Sequence, residues 1–243
     1  MNQFENYNQR GSMTQAMTRS FVSNVFLWMF AALGITAATA FLFGSNVNLM
    51  SMLINVSPQG GASVSILGWI VTFAPFIIVL VMSARVNKMS VQQTVLWYVI
   101  YSFLMGMSLS FISMAYTSAS IFKALIIAAG MFGVMAVVGY TTNTDLTKFG
   151  SFLMMALIGI IIATLVNFFM HSARLDYIIS IIGVLIFTGL TAFDVQKIKQ
   201  IGEAGINDGD VMAKITVHAA LTLYLDFLNL FLYLLRFFGS SRD

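Results

Sequence analysis

The sequence predicts an all-α integral membrane protein, a bundle of seven transmembrane helices with little mass outside the bilayer. Two observations carry this. Of 243 residues, 59% are hydrophobic and 9% charged, against about 25% charged in a soluble globular domain. So few charges cannot shield that much apolar surface from water. The apolar residues are also gathered into runs near the ~20 residues that a helix needs to cross hydrocarbon, with short connections between them.

Residues 1–20 are polar (Asn2, Gln3, Glu5, Asn6, Asn8, Gln9, Arg10) and read as a short, mobile cytoplasmic tail. The first run covers about Phe21–Phe43. Arg10 and Arg19 before it and Ala38-Thr39-Ala40 near its end resemble a signal peptide, but the apolar core is too long for one and suits a span. A second run, about Val64–Ala84, ends at Arg85 and Lys88. The third covers about Val91–Tyr116 and the fourth about Ile121–Tyr140. After polar Thr141–Lys148 comes the fifth, about Gly150–Met170, then the sixth, about Tyr177–Phe193. Polar Gln196–Lys214 holds most of the remaining charge, and the seventh run is about Thr216–Phe238. The chain therefore divides into the tail 1–20, a transmembrane domain 21–239 and a tail 240–243.

Lysine and arginine set the orientation. With the N-terminus inside, the inner segments hold Arg10, Arg19, Arg85, Lys88, Lys148, Lys197, Lys199 and Lys214, and the outer ones Lys123, Arg174, Arg236 and Arg242. The bias favours N-inside and C-outside. Small residues at helical spacing, Ser102, Gly106, Ser110 and Ser113 on the third helix and Gly159, Ala163 and Asn167 on the fifth, read as close-packing faces. The 17 methionines read as adaptable packing rather than a metal path.

Several chemistries are excluded or disfavoured. There is no cysteine, so disulfides, thiolate metal sites and cysteine nucleophiles are absent. His171 and His218 are far apart, which disfavours zinc. A net charge of +3 does not point to nucleic acid. There is no Walker loop, dinucleotide fingerprint or His-Glu-x-x-His. Asn207-Asp208-Gly209-Asp210 lacks the ligand spacing and terminal glutamate of a calcium loop and reads as a polar turn. Nothing here marks an enzyme or a resident cofactor.

Nearly every charge lies in a loop or at a helix end, and the clearest exception is Asp226 inside the seventh run. A carboxylate in lipid is costly unless it is paired, protonated or hydrated. It lies on a stripe of His218, Thr222, Asp226, Asn229, Tyr233 and Arg236 at spacings of four and three, which should face the bundle interior or a water-filled cavity. Asp194 stands at the cytoplasmic end of the sixth run, after Thr188 and Thr191. Arg85 ends the second run at a similar depth. The plainer readings are a neutral Asp226 acid tying helices together, and solvated or snorkelling Asp194 and Arg85.

Leu223-Tyr224-Leu225-Asp226-Phe227-Leu228-Asn229-Leu230-Phe231, followed by Leu234-Leu235-Arg236-Phe237-Phe238-Gly239, resembles the signature of the Bax inhibitor-1 family. So does Thr188-Gly189-Leu190-Thr191-Ala192-Phe193-Asp194 with its Lys-containing turn. The resemblance runs from the first span to Gly239 and looks closest to the bacterial inner-membrane branch. It implies a seven-helix fold with the last helix central and wrapped by the other six. It also implies that an aspartate pair, matched by Asp194 and Asp226, is a pH-sensitive gate for a calcium leak. An arginine on the second helix, for which Arg85 is the candidate, would latch the path by pairing with Asp194. The segment Val81-Met82-Ser83-Ala84-Arg85 has one arginine where relatives can have several.

Two carboxylates held close in low dielectric cannot both ionise freely, so the pair would titrate as a unit. Calcium takes six to eight oxygen ligands. Asp194 and Asp226, with Thr191, Thr222 and Asn229 lining or supporting the path, would supply a partial, transient shell. The implied partners are the lipid bilayer, calcium or protons as cargo, and membrane proteins that the sequence does not name. A non-transporting scaffold for other membrane proteins is the main alternative. An intramembrane aspartyl protease is disfavoured, because Asp226 lacks the Gly-x-Gly-Asp context and no Pro-Ala-Leu element is present. No nucleophile motif surrounds Ser108 or Ser110. The lean loops and missing cysteine suit a bacterial plasma (inner) membrane, multi-pass, with a cytoplasmic N-terminus.

Overall fold

The computed structural model describes residues 2–56, 62–86, 88–206 and 208–239. The chain runs α1 (Asn2–Ser45), α2 (Val47–Leu53), β1 (Ile54–Val56), β2 (Ala62–Val64), α3 (Ile66–Arg85), α4 (Val91–Leu109), α5 (Ile112–Ala115), α6 (Ser118–Thr141), α7 (Thr147–Met170), α8 (Ala173–Glu203) and α9 (Gly209–Phe238). Seven segments are long and apolar enough to cross a membrane: Gln15–Ser45, Ile66–Arg85, Val91–Ala115, Ser118–Thr141, Thr147–Met170, Ala173–Glu203 and Gly209–Phe238. They match the seven apolar runs, and the fold is an all-α integral membrane bundle.

The helix starts follow from local sequence. A short polar side chain takes up free amides of the first turn: Ser65 accepts from Gly68, Thr117 from Ser120, Ser172 from Leu175, and Asp208 from Asp210 and Val211. Ser90 and Gln93 cap α4 reciprocally, at 3.2 and 3.0 Å. α7 stops at His171, whose φ of 51° is left-handed and whose amide returns to the Asn167 carbonyl.

Three features depart from the sequence expectation. The polar stretch 1–20, read as a mobile tail, is helical from Asn2. It has no proline and one glycine, Gly11, and its end is anchored where Thr18 and Phe21 lie over Gly202 of α8. The stretch Gln196–Lys214, read as a connection, is mostly helix, because Gln, Lys, Glu and Met favour helix. At 31 residues, α8 is about 46 Å long and outreaches the ~30 Å hydrocarbon core. Finally, α2 and the hairpin β1–β2 fill the link between the first two spans, with Ile54 opposite Val64 and Asn55 opposite Ser63. Leu53 and Ile54 pack there with Val71 and Met107. The hairpin tip with Pro58, residue Asn207, and the tail 240–243 with Arg242 lie outside the described residues.

α9 packs along α1, α4, α6 and α8, while α3 packs on α4 and α7 on α8. Ala220, Leu223, Tyr224 and Leu230 of α9 are fully hidden. Ile158, Ile161, Ile162 and Leu165 of α7 are exposed, as expected where the solvent is lipid. Backbones come close at glycine: a Cβ at Gly139 would strike the Ala192 carbonyl of α8, and one at Gly106 would come within 2.6 Å of the Thr36 carbonyl of α1. The stripe with Ser102, Gly106 and Ser110 is thus a true packing face, and all three are buried. The α7 stripe packs only in part: Ala163 lies against the core and Asn167 bonds to Ser172, while Gly159 is open. Nothing lies within 4 Å of a Cβ at Gly159, and α7 meets α8 through Gly150 against Phe193 and Leu153 against Gly189.

Candidate functional site

α8 and α9 are joined by a short turn and pack antiparallel. Asp194 lies more than two turns before Glu203, the last residue of α8, so it is an interior helix residue and not a helix-end charge. This register brings it to Asp226, past the middle of α9. The two carboxyls lie close enough to act on each other directly. A hydrogen bond between them would need a proton on one of them, because an ionised carboxylate only accepts. Asp226 is 5% exposed, and no donor among the described residues reaches its Oδ2. Lys197 stands one turn further along α8 from Asp194.

The polar stripe of α9 does not all face inward. Asp226 is buried, His218, Asn229 and Tyr233 are half-buried, and Thr222 and Arg236 are exposed. The stripe follows an edge of the α9 interface, because the helices packed on α9 cover its other side. The hydroxyl of Thr222 donates to the His218 carbonyl (3.2 Å), and the Asn229 amide to the Leu225 carbonyl (2.8 Å). Thr191 is fully buried on α8 and donates to Phe187 (2.8 Å). The ring of Tyr233 stacks on Phe187, and Arg236 pairs with Asp176 at 3.2 Å. At His218, Nε2 is buried without a hydrogen-bond partner among the described residues.

Arg85 is not brought to Asp194. It is exposed at the end of α3, whose main helical neighbours are α4 and α2. Neither ion pair among the described residues includes it.

Two supporting groups went unread in the sequence. A cluster built on Tyr224, two residues before Asp226 in α9, joins α9 to α4 and α1. Thr36 donates to the Ser102 carbonyl (2.9 Å), which makes the Tyr224 hydroxyl the donor in its 2.8 Å contact with Thr36. Tyr98 and Tyr101 set their edges against Tyr224, with centroids at 6.3 and 5.5 Å. Gln196, two residues after Asp194, clasps the α6–α7 loop: its amide donates to the Thr144 carbonyl (2.8 Å) and accepts from the Leu146 amide (2.9 Å). In that loop Asp145 accepts from the Thr147 amide and hydroxyl, which holds its carboxyl below the usual range. Neither group had a signal in the sequence: Tyr224 points away from Asp226 on the helix, and Gln196 falls in a stretch that reads as loop.

The family described as inhibitor of apoptosis-promoting Bax1 matches residues 18–243. The inner membrane protein YbhL of Escherichia coli K12 is 42% identical over 229 residues, 94% of each chain. A Borreliella burgdorferi protein is 44% identical over 223 residues, 92% of this chain and 93% of its own. A Deinococcus radiodurans protein is 35% identical over 239 residues, 97% and 98% of the two chains. With a family match from the first span to the last residue and relatives of nearly equal length, this chain belongs to the Bax inhibitor-1 family.

Proposed function

We propose that this multi-pass inner-membrane protein is a pH-sensitive calcium leak, and not an enzyme, with Asp194 and Asp226 as the gate. The observation that carries the reading is the juxtaposition of the two carboxyls between α8 and α9. One shared proton ties the helices together. Its loss leaves two like charges in low dielectric, which repel or take up a cation. Calcium, the cargo, wants six to eight oxygens, and two carboxylates offer part of that shell. Thr191 keeps acceptor lone pairs while donating to Phe187, and Asn229, carbonyls and water complete a shell loose enough to release the ion. Thr222, which faces outward, supports the path less directly. With Arg85 away from Asp194, the latch is a second state that α3 must move to reach.

Calcium entry into dye-loaded liposomes, followed from about pH 6 to 8, tests this. The expected flux exceeds that of empty liposomes, rises as the shared proton is lost, changes in both Asp194→Asn and Asp226→Asn, and increases in Arg85→Ala. Folded wild-type protein giving no more flux than empty liposomes contradicts the leak and favours a regulatory scaffold.

A further inference from the structure

We infer that the groove between α1 and α6 is a binding site for one anionic phospholipid of the leaflet at the N-terminal end of α1. Both helices lean on α8 and α9, and the gap between them forms an open groove of about 430 Å³, within the ~300–1,000 Å³ of small-molecule sites. Val22 and Phe26 of α1 and Ala136 and Val137 of α6 give it apolar walls. Its floor opens at Gly133, where a Cβ would meet nothing within 4 Å.

One end of the groove carries its charged and hydroxyl-bearing groups. Arg19 and Tyr140 line it there, and Lys199 of α8 sits 5.4 Å from the centroid of the Tyr140 ring. Arg19 is exposed and takes part in neither ion pair among the described residues. Lys199 approaches Glu203 only at 4.0 Å. Two cations and a tyrosine at the membrane surface, above an apolar slot, match a phosphate headgroup above acyl chain. Arginine binds phosphate oxygens in a two-pronged geometry, tyrosine favours the interface, and basic pockets between helices select anionic headgroups. A second copy of the chain suits the groove less well, because an apolar helix laid in it would cover Arg19 without a partner. This inference does not depend on calcium transport.

Native mass spectrometry of the detergent-purified full chain, titrated with phosphatidylglycerol or phosphatidylcholine of identical chains, tests it. Wild type is expected to hold one phosphatidylglycerol and to prefer it to phosphatidylcholine by roughly tenfold. Gly133→Leu puts a side chain into the groove from a position where its Cβ meets nothing within 4 Å. It should lower binding of both lipids by about the same factor and leave the thermal midpoint unchanged or raised, since glycine is a poor helix former. Val137→Trp is a second filling variant should Gly133→Leu express poorly. Arg19→Gln should remove the preference for the anionic lipid and retain chain binding. Equal binding of the two lipids by wild type, or undiminished binding in folded groove-filled variants, overturns the inference. So does a dimer that Gly133→Leu abolishes, which would assign the groove to a second copy.

Discussion

Asp226 was legible in the sequence because a carboxylate inside an apolar run has no cheap explanation in lipid. The tyrosines packed on Tyr224 of the same helix were not, since a tyrosine in a span reads equally as interface belt or packing. Only the fold shows that the Tyr224 hydroxyl donates to Thr36 of α1 and that the Thr36 hydroxyl donates to the Ser102 carbonyl. Tyr224→Phe should therefore cost about 1 kcal/mol, the net worth of one hydrogen bond, read as a lower thermal midpoint in detergent. Thr36→Val removes the hydroxyl at the centre of the chain, strands the buried Tyr224 hydroxyl and should cost more. Equal stability of both variants with wild type would show that the network does not hold α9 in place.

Helices were read well where their signal was apolar length, and poorly where polar residues continue a helix beyond the hydrocarbon. Gln196 and Lys197 looked like loop, yet they belong to α8, and this is why Asp194 proves interior and not terminal. The α2–hairpin link was invisible because its residues are too few to set a pattern. Gln196→Leu should release the α6–α7 loop and strand the Leu146 amide, costing about 1–3 kcal/mol and speeding tryptic cleavage at Lys148 in folded protein. At the α6–α8 crossing, Gly139→Leu forces a side chain into the Ala192 backbone. It should destabilise by at least the ~1–3 kcal/mol of overpacking. Gly130→Leu, on the same helix where nothing lies within 4 Å, should leave the thermal midpoint unchanged or higher.

At the scale of the molecule, the number of spans and the meeting of the sixth and seventh were legible, the first from hydropathy and the second through the family signature. The placement of Arg85 was not, because a latch is a tertiary contact that a lone arginine at a helix end does not encode. Orientation rests on the lysine and arginine bias. A chain without cysteine allows a test without background: Lys148→Cys should react with an impermeant maleimide only from the cytoplasmic face, and Arg174→Cys only from the other. The opposite labelling would invert the topology and carry the groove at Arg19 to the other leaflet. The central claim is that Asp194 and Asp226 act as one titrating unit, and calcium flux against pH for Asp194→Asn, Asp226→Asn and the double variant tests it most directly. If they share one proton, either single change flattens the pH profile and the double change adds nothing further. Single effects that sum in the double variant, or a pH dependence that survives it, would contradict the account.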